Sequence, residues 1–178
     1  QEIMARRRYG ILRGKRYFKE EAPIYNENIW SLPSDCYLTG YWQSEKYFYM
    51  HEEAIRNIYS FKTQMSEKNN SIAEEINKCN SITVHIRRGD TATTEGITKG
   101  IMARCPIEYY NNALEYMKKR VDNSVFFVFS DDSEWARSNL YFPSKSYFID
   151  HNNKMEDYND MRLMSLCKHN IIANSSFS

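Results

Sequence analysis

Ser81-Ile82-Thr83-Val84-His85-Ile86-Arg87-Arg88-Gly89-Asp90 is a β-branched, apolar run that stops on two arginines, a glycine and an aspartate. Its first six residues read as a strand. Beyond this run, helical and strand patterns alternate along the chain. Residues 106–120 have the pattern of a helix, with Pro106 at the first position and Lys118, Lys119 and Arg120 in the last turn. Tyr110, Ala113, Leu114 and Met117 would form its apolar face. Residues 125–129 are continuously apolar, as in a strand buried on both faces. Ser130-Asp131-Asp132 closes that strand, and the spacing of Asp131 to Glu134 predicts a capping box for a helix over 133–140. A short strand over 146–149, a helix over 159–168 with Met161, Met164 and Leu166 or Cys167 inward, and a strand over 170–173 complete the series. Residues 81–173 thus read β-α-β-α-β-α-β. That order implies an α/β fold, a Rossmann-like parallel sheet with helices on both faces.

Upstream of this block the pattern is less regular. Arg6, Arg7, Arg8, Arg13, Lys15 and Arg16 make the start basic, which suits a polyanion or a membrane surface, but Glu20 and Glu21 come at once after them, as on a solvated face. Residues 19–35 carry Pro23, Pro33, Asn26 and Asn28 and read as loop. Residues 37–42 read as a short strand. Residues 44–61 read as a helix presenting Ala54, Ile55 and Ile58, and residues 65–78 as a second with Met65, Ile72 and Ile76 inward. The chain begins on glutamine and ends just after an apolar run, so it is expected to be a piece of a longer protein. Two regions are expected: a mostly helical linker region over 1–78 and the Rossmann-like domain over 79–178.

Composition narrows the function classes. The 178 residues carry 24 Lys and Arg against 23 Asp and Glu, a net charge of +1, which gives no electrostatic case for nucleic acid. An aromatic content of 15% argues for a packed core rather than disorder. No apolar run approaches the roughly 20 residues of a membrane-spanning helix. The four cysteines, 36, 79, 105 and 167, lie far apart, with no C-x-x-C spacing, and the four histidines are scattered. Reduced thiols and no metal site are the expectation.

In a parallel sheet, ligands sit outside the carboxyl ends of the strands. Three segments fall there: Arg87-Arg88-Gly89-Asp90, Ser130-Asp131-Asp132 and Asn174-Ser175-Ser176-Phe177. Two guanidinium groups present planar forks of donors that match a diphosphate, and glycine lets backbone approach an anion. Hydroxyls and backbone N–H groups of the third segment are another phosphate holder. A carboxylate in the second can accept from a guanine N1–H and its amino group. Together they describe a nucleoside-diphosphate site in which arginine supplies the positive charge. Competing readings remain for each residue. Arg87 and Arg88 can pair with Asp90, Asp131 or Asp132. Asp131 and Asp132 can be helix caps. His85 can be a core histidine, and Ser175 and Ser176 can be turn residues. Arg88-Gly89-Asp90 is also a cell-adhesion tripeptide, but it leaves a core strand directly rather than topping a mobile loop. Asn69-Asn70-Ser71 and Asn174-Ser175-Ser176 match the glycosylation sequon.

Val84-His85-Ile86-Arg87-Arg88-Gly89-Asp90 resembles the first motif of the α-1,2-fucosyltransferases, glycosyltransferase family 11. The stretch from Phe126 to Trp135 is similar to the second, and that from His169 to Ser178 to the start of the third. Gly40-Tyr41-Trp42-Gln43-Ser44-Glu45-Lys46-Tyr47-Phe48 resembles a further segment of the family. The resemblance covers about residues 17–178, without the Gly-rich segment of the family's N-terminus. It implies the donor-binding half of a GT-B-like glycosyltransferase, with 1–78 as part of the acceptor side. It implies inverting transfer of L-fucose from GDP-β-L-fucose to a galactose hydroxyl, a nucleotide-sugar donor and an oligosaccharide acceptor as partners, and no cofactor or metal. By the same resemblance Arg87 holds the diphosphate and Arg88 supports it. Asp132 reads the guanine edge, Ser175, Ser176 and the Phe177 backbone hold phosphate oxygens, and His85 contacts the nucleotide or holds the loop. Asp90 and Glu95 are the candidate bases. A non-catalytic GDP- or glycan-binding domain and another GDP-sugar transferase are the alternatives. A cytoplasmic or peripheral membrane location is expected for a bacterial protein, and the Golgi lumen for a eukaryotic one.

Overall fold

Side-chain alternation in two strands sets the architecture of the larger part of the chain. In the computed structural model, which describes residues 17–22, 24–89, 104–153 and 155–178, the chain forms two units, Gln1–Ser60 and Phe61–Ser178. The second unit contains α2 (Glu67–Lys78), β3 (Asn80–Ile86), α3 (Ile107–Lys118), β4 (Ser124–Ser130), α4 (Ser133–Asn139), β5 (Ser146–Ile149), α5 (Asp157–Leu166) and β6 (His169–Ile171). Its strands form one parallel sheet in the order β5-β4-β3-β6.

Successive residues of a strand face opposite sides of the sheet. Ile82, Val84, Ile86, Phe126 and Val128 therefore share one face, where they pack with Tyr110 and Leu114 of α3 and with Ala136 of α4. Phe127, Phe129 and Ile149 occupy the other face with Ala73 and Ile76 of α2 and Leu163 and Met164 of α5. The remaining residues of β3 on this second face are polar: Thr83 donates its hydroxyl to the Met164 carbonyl, and Ser81 Oγ accepts from the Lys168 N–H.

The connections obey the handedness of crossovers. The chain steps outward from β3 to β4 to β5 with α3 and α4 on one face, then returns across the sheet through α5 to β6 on the far side of β3. Right-handed crossovers require that reversal of direction to change faces. The strand order therefore reverses between β3 and β6, and the crevice at that switch point is where ligands of such sheets bind.

The first unit has a small parallel pair, β1 (Tyr17–Lys19) against β2 (Tyr37–Thr39), then short 3-10 turns and helix α1 (Glu52–Ile58). β1 lies where loop was expected to begin; its backbone is held by pairing that no local pattern announces. The helix expected over 44–61 is only α1 with 3-10 turns before it, and Ile58 is 72% exposed. In α5 Met164 is buried as expected, as is Cys167 just after the helix, together with Leu163, whereas Met161 and Leu166 are exposed. The four cysteines are unpaired thiols, and no helix among the described residues is long and apolar enough to cross a membrane.

Candidate functional site

Register brings the expected segments to one rim. Ile86 pairs with Ser130, and Val84 with Ile171, so Arg87 and Asp131 leave their strands side by side, with the segment after β6 next to them. Arg87 Nη1 lies 3.2 Å from Asp131 Oδ2. The Arg88 N–H donates to Asp131 Oδ1 at 2.8 Å and the Gly89 N–H to Asp131 Oδ2 at 2.7 Å. Asp131 thus clamps the turn after β3 through two charge-assisted backbone bonds and an ion pair. A Cβ at position 89 would stand 2.6 Å from Asp131 Oδ2, so any larger residue there would displace the carboxylate from the turn. The Arg88 guanidinium lies over the Trp135 ring, 3.7 Å from its centroid, a cation–π contact that fixes its plane.

Asp131 is not the cap of α4. That position belongs to Asp132, whose Oδ1 accepts from the Trp135 N–H at 3.0 Å. The capping box expected from Asp131 and Glu134 is corrected accordingly: parallel register aims Asp131 sideways at the turn after β3, leaving its neighbour to cap. The competing reading of Arg87 as an ion-pair partner is realised with Asp131, yet its side chain stays 36% exposed on the rim.

The segment after β6 folds as a tight turn. The Ser175 N–H donates to the Ala173 carbonyl, Ser175 Oγ accepts from the Phe177 N–H at 3.2 Å, and the Ser178 hydroxyl donates to the Ala173 carbonyl. Tyr109 of α3 ties the start of this segment down by donating its hydroxyl to the Ile172 carbonyl at 2.8 Å. The Phe177 N–H, expected to hold a phosphate oxygen, is engaged by Ser175, and Ser176 is exposed. The Phe177 ring meets His85, with centroids 5.5 Å apart, joining the ends of β3 and β6. Asp90 and Glu95, the expected bases, lie outside the described residues. Asp131 was expected on this rim as an ion-pair partner of the arginines or as a helix cap, but its hold on the Arg88 and Gly89 amides, and the part of Trp135 as a platform for Arg88, became visible only once register placed them beside the arginines. Among the described residues no group of three or more His, Cys, Asp or Glu is placed to hold a metal ion.

His85 is buried, and burial pushes its imidazole down to about 4, with Asp131 opposing the shift and Arg87 adding to it. Its Nδ1 has no hydrogen-bond partner among the described residues. The ring is neutral at pH 7. Its folded value is below the ordinary 6.5, so its contribution to stability is complete above that pH and is lost as pH falls towards 4. Asp160 acts in the opposite sense: burial raises its carboxyl from 3.8 to about 6, so it adds stability as pH falls through that window. The two offset each other between pH 4 and 6, so the ring's own titration by NMR is the direct check. A His85 midpoint near 4 is expected; one above 6 contradicts the burial account. For the clamp, Asp131→Ala is expected to cost about 1 kcal/mol in urea unfolding, since it removes two charge-assisted bonds to amides that water can then reach. An unchanged midpoint would show that the clamp contributes nothing.

Residues 8–178 match the family described as Glycosyl transferase family 11. The chain belongs to that family. Among curated relatives it is 37% identical over 169 residues to an alpha-1,2-colitosyltransferase of Escherichia coli, covering 92% of this chain and 56% of that protein. It is 32% identical over 181 residues to the O-antigen biosynthesis glycosyltransferase WbnK of Escherichia coli, covering 96% and 58%. It is 25% identical over 149 residues to galactoside alpha-(1,2)-fucosyltransferase 1 of Saimiri boliviensis boliviensis, covering 79% and 40%. This family 11 chain therefore spans little more than half the length of the bacterial relatives it matches. No solved structure matches it significantly.

Proposed function

We propose that this chain carries the donor site of a glycosyltransferase that moves a deoxyhexosyl group, fucosyl or colitosyl, from a guanosine diphosphate sugar to a galactoside hydroxyl. The observation that supports the reading best is the position of Arg87 and Arg88 at the switch point between β3 and β6, where such sheets take nucleotides. One arginine is steadied by Asp131, the other by Trp135, so their charge is preorganised rather than mobile.

In the reaction, the acceptor oxygen forms a bond to the anomeric carbon as that carbon's bond to the diphosphate oxygen breaks, and GDP leaves with the bonding electron pair. Attack from the face opposite the leaving group inverts the centre. The acceptor proton passes to a base, with Asp90 and Glu95 as candidates. Negative charge grows on the leaving diphosphate, and Arg87 with Arg88 meets it there. Neutral His85 and Phe177 hold the two loops together. Asp132 keeps one carboxylate oxygen on the helix cap, so reading of the guanine edge falls to its Oδ2.

The relatives divide between colitosyl and fucosyl donors in their names, and donor choice is the finer point. The test is release of GDP from GDP-fucose and from GDP-colitose with a β-galactoside acceptor, with and without EDTA. Galactoside-dependent turnover of either donor, unaffected by EDTA, is expected. Tight GDP binding with no turnover of either donor would instead support a binding domain. Turnover abolished by EDTA and restored by a divalent ion would contradict the arginine-based site.

A further inference from the structure

Two of the four thiols lie together at the amino end of the sheet, opposite the rim that carries Arg87 and Arg88. Cys79 follows α2 and leads into β3, and Cys167 follows α5 and leads into β6. Both are extended, Cys79 at φ −127° and ψ 177° and Cys167 at φ −70° and ψ 146°, so the register of the two strands runs back to them. Ile82 pairs with His169, which sets Asn80 beside Cys167 and Cys79 one residue further back. The bond from the Lys168 N–H to Ser81 Oγ shows that the strands still adjoin there. A strand spacing of about 4.8 Å and a rise of about 3.3 Å per residue put the two Cα atoms about 6 Å apart, within the span of a disulfide. Both side chains belong to the cluster on the face that α2 and α5 cover, so they project the same way. Each thiol donates back into the helix before it, Cys79 Sγ to the Glu75 carbonyl at 3.2 Å and Cys167 Sγ to the Leu163 carbonyl at 3.7 Å. Rotation about the Cα–Cβ bond releases either sulfur from that carbonyl. Cys167 is buried and Cys79 only partly so, so a reagent in solvent meets Cys79 first.

We propose that Cys79 and Cys167 are a redox pair, which a low-molecular-weight disulfide oxidises to an intramolecular disulfide tying the start of β3 to the start of β6. The Cys79 thiolate attacks one sulfur of the reagent, here glutathione disulfide. The reagent's S–S bond breaks, Cys79 is left as a mixed disulfide, and the departing glutathione thiolate takes up the proton that Cys79 lost. Cys167 then gives its proton to solvent and attacks the Cys79 sulfur. The second glutathione leaves as a thiolate and is protonated in turn. Two protein thiols are oxidised and one glutathione disulfide is reduced to two glutathione molecules. Burial raises the Cys79 thiol, but the neighbouring Lys168 and Lys145 favour its thiolate against Glu75. The crosslink closes a loop of about 90 residues, and restricting the unfolded chain over that length favours the folded state. Because β3 and β6 flank the point where the strand order reverses, the bond pins that point from the end opposite the ligand crevice.

The test is incubation of the folded chain with glutathione disulfide, followed by mass-spectrometric mapping of its peptides without reduction. A crosslinked pair of peptides holding Cys79 and Cys167 is expected, with a urea midpoint raised by about 1 M, both reversed by dithiothreitol. Cys167→Ser is expected to trap glutathione on Cys79 as the mixed disulfide. Because a change at that buried position can unsettle the fold, Cys79→Ser serves as the second variant, and the oxidant is expected to leave its Cys167 unmodified and its urea midpoint where it was. Glutathione retained on Cys79 of the native chain, with Cys167 still a thiol, would overturn the proposal. So would a crosslink that forms only in urea, or a native chain whose Cys79 and Cys167 both stay reduced.

Discussion

Arg87→Ala is expected to weaken GDP binding by about 100-fold, as read by calorimetry, while the chain keeps its fold. The magnitude comes from removing the charge-assisted bonds that a guanidinium makes to phosphate oxygens, each contributing about 1.5–3 kcal/mol where the donor is held in place. Arg87 stands on the rim rather than in the core, so its loss removes affinity without opening a cavity. The ion pair with Asp131 complicates the reading in one respect: alanine also leaves Asp131 without that partner. Arg87→Lys separates the two effects, because lysine restores a charge beside Asp131 but cannot present a planar fork. Weak binding in both variants assigns the effect to the diphosphate. Recovery to native affinity with lysine would assign it to charge alone. Native affinity in the alanine variant would remove Arg87 from the site.

Phe127→Ala is expected to destabilise the chain by about 3–5 kcal/mol in urea unfolding, because a large side chain is removed from a packed interior and a cavity remains. Phe127 is wholly buried in the strand flanked by β3 and β5, and packs with Phe129, Leu163 and the ring of Tyr147. It lies on the face that α5 covers, so the same substitution loosens the crossover that carries β6 to the far side of β3. GDP affinity should then fall as denaturant is raised in the variant, at concentrations the native protein withstands. A loss below about 1 kcal/mol would mean that this face is not packed as the sheet order requires.

Much of the fold was readable from residues 81–173, because a buried strand, a helix with apolar residues at helical spacing and a proline at its start each leave a local signature. β3, β4, α3 and the parallel sheet are cases of that kind. The site was legible in part. Arg87 and Arg88 announce themselves as two cations leaving an apolar strand. The role of Asp131 does not, because an aspartate after a strand and before a helix has the local pattern of a cap. Only pairing of Ile86 with Ser130, a fact of tertiary register, sends it to the Arg88 and Gly89 amides. The same limit explains β1, whose hydrogen bonds go to β2, across an intervening loop that gives no local sign of the pairing. It also explains Trp42, whose unusual backbone depends on a carboxylate from Glu20.

The central claim is that a nucleoside diphosphate occupies the crevice between the ends of β3 and β6. Titration of the nitrogen-15-labelled chain with GDP, read by amide NMR, tests it most directly. The largest shifts are expected on Arg88, Gly89, Asp131, Ser176 and Phe177, saturating together. Shifts confined to the first unit, or absent at millimolar GDP, would contradict it.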